Sequence, residues 1–132
     1  MKVFADTFYW IALTDSTDAA HKRARQVTDD LVTTDEVLTE YLNFFSASQE
    51  FMRREIVLTV EDILQDPAVT LIPQSRETFL AGLSLFRTRA DKGYSLTDCI
   101  SMRTMQRLGL TAVLTNDRHF EREGFRAIFR EI

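Results

Sequence analysis

Apolar positions along the chain change their spacing several times, and each change marks an element. Lys2–Asp6 (KVFAD) is a short, mostly apolar run closed by an acid, which predicts a buried strand. TFYWIALTD, from Thr7, predicts one or two apolar helical turns. From Thr17 onward, Ala20, Ala24, Val27 and Leu31 recur at helical steps and predict a second helix. Leu31–Thr34 (LVTT) predicts a short strand, with Asp35 as N-cap of the next segment. Val37, Leu38, Tyr41, Leu42 and Phe45 then share one helical stripe. Met52, Ile56, Val60, Ile63 and Leu64 outline another amphipathic helix, ending before Pro67.

AVTLIP is the next expected strand, with Pro73 at its exit. Phe79, Leu83 and Phe86 mark a helix, ADKG a turn, and Gly93–Gly109 a helix stopped by its terminal glycine. Leu110–Thr115 is a strand of apolar and β-branched residues, NDRHFEREGF a loop with one helical turn, and RAIFREI (126–132) a last short strand. Strands thus alternate with helices. That order predicts one α/β domain over residues 1–132, built on a mostly parallel twisted sheet of about five short strands flanked by helices on both faces. No repeat, low-complexity segment or linker interrupts it.

Composition narrows the class. At 132 residues, with 45% hydrophobic and 27% charged residues, the chain suits one soluble globular domain, and ten Phe predict an aromatic core. A single cysteine cannot form an internal disulfide, which points to a reducing, cytoplasmic setting. The opening apolar run is broken by Asp6 and leads to no cleavage site, so no signal peptide is expected. No apolar run approaches the roughly 18 residues of a membrane span. A net charge of −4 argues against a general nucleic-acid coat protein. It leaves room for an enzyme with a local acidic site, or for a basic partner.

Four acids stand where an α/β sheet binds ligands, beyond the carboxyl ends of its strands. Asp6 follows the first strand and Asp117 follows Leu110–Thr115 by two residues. Asp98 opens the helix before that strand, and Glu40 flanks the apolar stripe of its own helix. Singly, each has an ordinary reading: a helix cap, a charge favoured by the helix dipole, a turn residue, a solvated glutamate. Together they bring three Asp from separate segments to one end of one sheet, with Glu40 able to join them. Clustered carboxylates share protons or bind a cation. All-oxygen donors suit Mg²⁺ or Mn²⁺, whereas the two histidines and one cysteine show no zinc-ligand spacing.

In order and spacing, four blocks of the chain resemble the PIN-domain ribonucleases, especially the VapC-type toxins of toxin–antitoxin pairs. They are FADTFYWIAL, DAAHKRA, VTTDEVLTEYLNF and YSLTDCISMRTMQRLGLTAVLTNDRHF, and they cover nearly the whole chain. The resemblance implies a metal-dependent endoribonuclease in which Asp6, Glu40, Asp98 and Asp117 are catalytic and bind Mg²⁺ or Mn²⁺. Thr7 and Thr97 would orient carboxylates or water, and Asn116 would support them. The implied reaction is hydrolysis of an RNA phosphodiester to a 5′-phosphate and a 3′-hydroxyl. A small antitoxin protein and a homodimer are the implied partners. Phe8 and Arg103 stand where relatives often carry smaller residues, so Arg103 joins Arg118 and His119 as a candidate RNA contact.

Other residues have plainer readings. His21 is expected to be solvated or locally hydrogen-bonded, Cys99 buried, and Tyr9-Trp10 packed rather than stacked on bases. The basic runs are solvated faces, one of which can guide RNA. An excess of apolar residues at Phe44, Phe45, Phe51 and Met52 adds to the expectation of a homodimer. Two alternatives stand beside the nuclease: a catalytically silent PIN-like binding module, and a Mg²⁺-binding receiver-like signalling domain. The receiver reading lacks an acidic pair after the first strand and a lysine after a later one; Thr115-Asn116 stands there instead.

Overall fold

A computed structural model describes residues 2–131. Its elements run β1 (Lys2–Ala5), α1 (Thr7–Thr14), α2 (His21–Ala24), β2 (Asp30–Thr34), α3 (Asp35–Phe44), α4 (Glu50–Gln65), β3 (Val69–Ile72), α5 (Arg76–Thr88), α6 (Leu96–Leu108), β4 (Ala112–Leu114), α7 (Arg118–Arg122) and β5 (Arg126–Ala127). A short 3-10 turn, Ile128–Arg130, follows β5. The five strands form one sheet in the order β3-β2-β1-β4-β5, and every pairing is parallel. Val3, Phe4 and Ala5 are fully buried. Successive strand residues point to opposite faces, so helices must cover both sides of the sheet.

The order excludes the receiver-like alternative, whose sheet runs 2-1-3-4-5. Here the chain builds outward from β1 through β2 to β3, then returns to the other side of β1 with β4. The reversal falls between β1 and β4, where Phe4 aligns with Val113 and Ala5 with Leu114. Beyond the carboxyl ends of these two strands lies the crevice in which such sheets bind ligands.

Several boundaries differ from the sequence reading. The helix expected from Thr17 shrinks to the single turn His21–Ala24. Asp15 accepts from the Thr17 backbone N–H and hydroxyl, and Asp18 accepts from the Ala20 N–H. These side chains offer the backbone turns in place of a helix. Thr34, not Asp35, caps α3 by accepting from the Val37 N–H at 3.1 Å. Asp35 lies in the first turn and receives the Gln74 N–H instead. The helix expected from Gly93 starts at Leu96, because Ser95 and Asp98 close a capping box there. Gly109 ends α6 at φ +70°, and the Leu110 N–H turns back to the Met105 carbonyl, so β4 begins only at Ala112. With so short a β4, only Arg126 and Ala127 of the expected last strand find ladder partners. Ile132, its final residue, lies outside the described residues, as does Met1.

Helix α6, which carries Asp98, packs closely on α5. A Cβ at Gly82 would lie 2.4 Å from Ile100 Cγ1 and 3.2 Å from the Ile100 backbone nitrogen. A glycine is what allows this approach. Gly82→Val is expected to lower unfolding stability by about 1–3 kcal/mol, the usual cost of overpacking a close contact. Urea unfolding checks it; an unchanged midpoint would show that the helices separate freely.

Candidate active site

Asp6 occupies the N-cap position of α1, yet its side chain makes no capping hydrogen bond. It accepts from the Thr115 hydroxyl at the end of β4, Oγ1 to Oδ2, at 2.9 Å. The same Thr115 oxygen accepts the Asp117 N–H at 3.2 Å. One threonine therefore ties together the acids that follow β1 and β4. Asp117 caps α7, its Oδ1 receiving the His119 N–H at 2.9 Å.

Glu40 arrives from α3, whose Val37, Leu38 and Tyr41 face the core. Thr7, the first residue of α1, donates its hydroxyl to Glu40 Oε1 at 2.5 Å. Asp98 enters from the first turn of α6. Its Oδ2 accepts the Ser95 N–H at 3.3 Å while Ser95 Oγ accepts the Asp98 N–H at 3.0 Å. Asp98 is thus both part of a helix start and part of the cleft.

Asp6, Thr7, Glu40, Ser95, Asp98, Thr115, Asn116 and Asp117 line one open cleft of about 590 Å³, with Phe8, Ile11, Asn43 and Phe44. Larger hollows exist, such as the apolar groove of about 650 Å³ beside α3 and α4, but they hold no comparable chemistry. Burial, first, and the Asp98 charge, second, push the Asp6 carboxyl up to about 7; Glu40 adds a smaller push, opposed by the Thr115 hydrogen bond and the Thr7 backbone. Asp98 is also raised, by burial first and then by Asp117 and Glu40, with the Ser95 hydrogen bonds acting against the shift. Crowded, partly desolvated anions of this kind call for a cation.

Other candidates fall elsewhere. Thr97 lines a separate depression with Gln74, Ser75 and Arg76. It is one helical step, about 100°, from Asp98, and Ser95 supplies the hydroxyl beside that acid. Arg103 lies further along α6, where it donates to Gln106 and borders a different hollow. Arg118 is exposed, and the Asn116 carbonyl accepts from Arg130 Nη1 at 3.3 Å. His119 turns inward: its Nδ1 lies 3.4 Å from Asp117 Oδ1 and 3.7 Å from Asp98 Oδ2. Sequence spacing hid that grouping, because Asp98 comes from another helix. Thr115 and Ser95 were also missed as site residues. The threonine that opens Thr115-x-Asp117 and the serine three places before Asp98 were the available signals.

A parallel sheet with four carboxylates gathered at its switch point defines the class as an acid-site α/β protein. The profile of the PIN domain family matches residues 3–125, and the chain belongs to that family. No curated protein matches the sequence. Among solved structures, VapC20 of Mycobacterium tuberculosis, a sarcin-ricin loop cleaving toxin, matches with a TM-score of 0.81 at 20% identity, over 93% of this chain and 95% of that one. At that identity the match shows a shared fold.

The raised Asp6 carboxyl has a consequence for the metal-free protein. Unfolded, the group titrates near 3.8; folded, near 7. The folded state holds this proton more tightly, so its stabilising contribution is complete below pH 3.8 and is lost as pH rises through about 7. With chelator present, the thermal midpoint is expected to fall as pH rises from about 4 to about 7, and Asp6→Asn to flatten that dependence. Identical pH profiles for parent and variant would contradict it.

Proposed function

We propose that this chain is a divalent-metal-dependent endoribonuclease, and that it serves as the toxin of a toxin–antitoxin pair. The observation that carries the reading is the convergence of Asp6, Glu40, Asp98 and Asp117 on one open cleft at the sheet's switch point. Membership of the PIN family and the fold shared with a toxin that cleaves the sarcin-ricin loop support it.

The donor set fits Mg²⁺ or Mn²⁺: oxygen atoms from four carboxylates, one pushed up first by its burial and then by the Asp98 charge, in a cleft open to solvent. Asp6, Glu40, Asp98 and Asp117 would hold the ion. When bound, such an ion supplies charge neutralisation at a phosphodiester and acidifies water. The chain's own groups supply orientation. Thr115 fixes the Asp6 carboxyl, Thr7 fixes Glu40, and Ser95 fixes Asp98. The cleft is open to solvent, with Asn116 on its wall and the exposed Arg118 next in sequence to Asp117. Water attacks phosphorus in line with the departing 3′ oxygen; a P–O bond to water forms, the P–O3′ bond breaks, and a 5′-phosphate and 3′-hydroxyl result. Arg118 is an exposed cation able to meet a neighbouring phosphate, whereas Arg103 borders a different hollow.

Asp98→Asn keeps an oxygen acceptor for the Ser95 N–H and removes one anion. RNA cleavage with Mn²⁺ is expected to fall by about a hundredfold or more, since fixed electrostatic groups contribute on that scale. Mn²⁺ at 100 times its dissociation constant stabilises the parent by about 2.7 kcal/mol; at that concentration the variant is expected to gain much less. Undiminished cleavage and an unchanged metal-induced shift would remove Asp98 from the mechanism. A parent that binds metal yet cleaves no RNA would favour the silent binding module.

The partners belong to the same reading. Phe44 and Phe51 are each 63% exposed, with Leu58 and Leu64 also at the surface, although Phe45 is buried. That apolar surface supports a homodimer. The carboxylate cleft suits an arginine of a small antitoxin, which binds carboxylates bidentately and competes with the ion. No helix among the described residues is long and apolar enough to cross a membrane. Light scattering is expected to return twice the 15.3 kDa chain mass, and co-expression with a small neighbouring reading frame to give an inactive complex. A monomer, or a fully active complex, would count against these assignments.

A further inference from the structure

We propose that His119 is a nitrogen ligand to the divalent ion of the acidic cleft, giving a mixed nitrogen–oxygen donor set that favours Mn²⁺ over Mg²⁺. The inference rests on the metal-dependent reading of that cleft and adds to it a residue from α7.

Three observations carry it. His119 Nδ1 is buried and has no hydrogen-bond partner. It faces Asp117 Oδ1 at 3.4 Å and Asp98 Oδ2 at 3.7 Å, and one donor atom from each of the three residues lies within 4.8 Å of the other two. A charge-assisted N–H to carboxylate bond closes to about 2.7–2.9 Å. The His119–Asp117 distance instead falls within the spacing that ligand atoms keep from one another around a shared ion, about 3.0–3.5 Å for bonds of roughly 2.1 Å, and the His119–Asp98 distance of 3.7 Å lies just beyond it.

The ring is also held in place. Tyr94 packs against it at 5.0 Å between centroids. The Tyr94 hydroxyl donates to Glu123 Oε2 at 2.9 Å, and Arg89 Nε donates to the same oxygen at 2.9 Å. The His119 backbone N–H is held by the Asp117 cap. A side chain meant to sweep for phosphate in solvent needs none of this bracing. Imidazole suits transition ions, whereas Mg²⁺ prefers oxygen, which sets the direction of the selectivity.

The chain has two histidines, and His21 Nδ1 lies 2.8 Å from the Ala12 carbonyl oxygen, so one ring is available to the cleft. Electron spin-echo modulation of untagged, Mn²⁺-loaded protein reads directly bound nitrogen. The parent and His21→Gln are expected to show imidazole nitrogen modulation. His119→Gln is expected to lose it, bind Mn²⁺ about tenfold or more weakly, and change little in Mg²⁺ affinity. Bound Mn²⁺ without nitrogen modulation in the parent overturns the proposal, as does modulation that survives in His119→Gln. Either result leaves the oxygen-based nuclease reading standing if RNA is still cleaved. A parent that binds no Mn²⁺ and cleaves no RNA overturns both. Should His119→Gln fail to fold, the parent and His21→Gln spectra still decide the matter.

Discussion

The pairing of β4 beside β1, on the side away from β2, is the constraint on which the site depends. It places the chain's first and fourth strands side by side with their carboxyl ends together. Asp6 and Asp117 are far apart in sequence, yet each leaves the sheet at the same crevice. Thr115 bridges them, bonding the Asp6 carboxylate and the Asp117 backbone. Had β4 joined the sheet at the β3 edge, these two acids would stand several strands apart.

Helices complete what the strands begin. Thr34 caps α3 at the end of β2, and one face of that helix seats Val37 and Tyr41 in the core, leaving Glu40 at the margin of the buried stripe. Asp98 depends on the depth at which α6 sits. Met102, Met105 and Cys99 bury one face of the helix, and Gly82 of α5 allows close packing behind it. The site is therefore a joint product of sheet order, one helix cap and one close helix–helix contact.

Periodicity made the alternation of strands and helices legible, and strand-terminal acids pointed to the open cleft that they line. Long apolar stripes such as Ile56 to Ile63 survive in α4, because burial of a face dictates them. Short elements were less readable. The helix expected from Thr17 kept only its turn at His21, because Asp15 and Asp18 bond the backbone before it, and β5 ended where β4 ran out of partners. Side-chain direction was hardest of all. Thr97 and Asp98 are neighbours in sequence, but the helix sends them to different hollows. His119 and Asp98 are distant in sequence, but α7 brings their side chains together.

The partners chosen for the acids carry a further lesson. On the surface, glutamates pair with arginine: Glu50 with Arg54, Glu121 with Arg130, Glu131 with Arg126, and the less exposed Glu123 with Arg89. Among the described residues, Asp6, Glu40, Asp98 and Asp117 pair with neither lysine nor arginine. Threonine hydroxyls and backbone N–H groups hold them instead. Neutral donors fix the direction of a carboxylate while leaving its charge unneutralised. An arginine in their place would stabilise the metal-free fold and occupy the oxygens an ion needs. Four carboxyls therefore remain close together without a cationic side chain, and burial first, then neighbouring charge, raises Asp6 and Asp98.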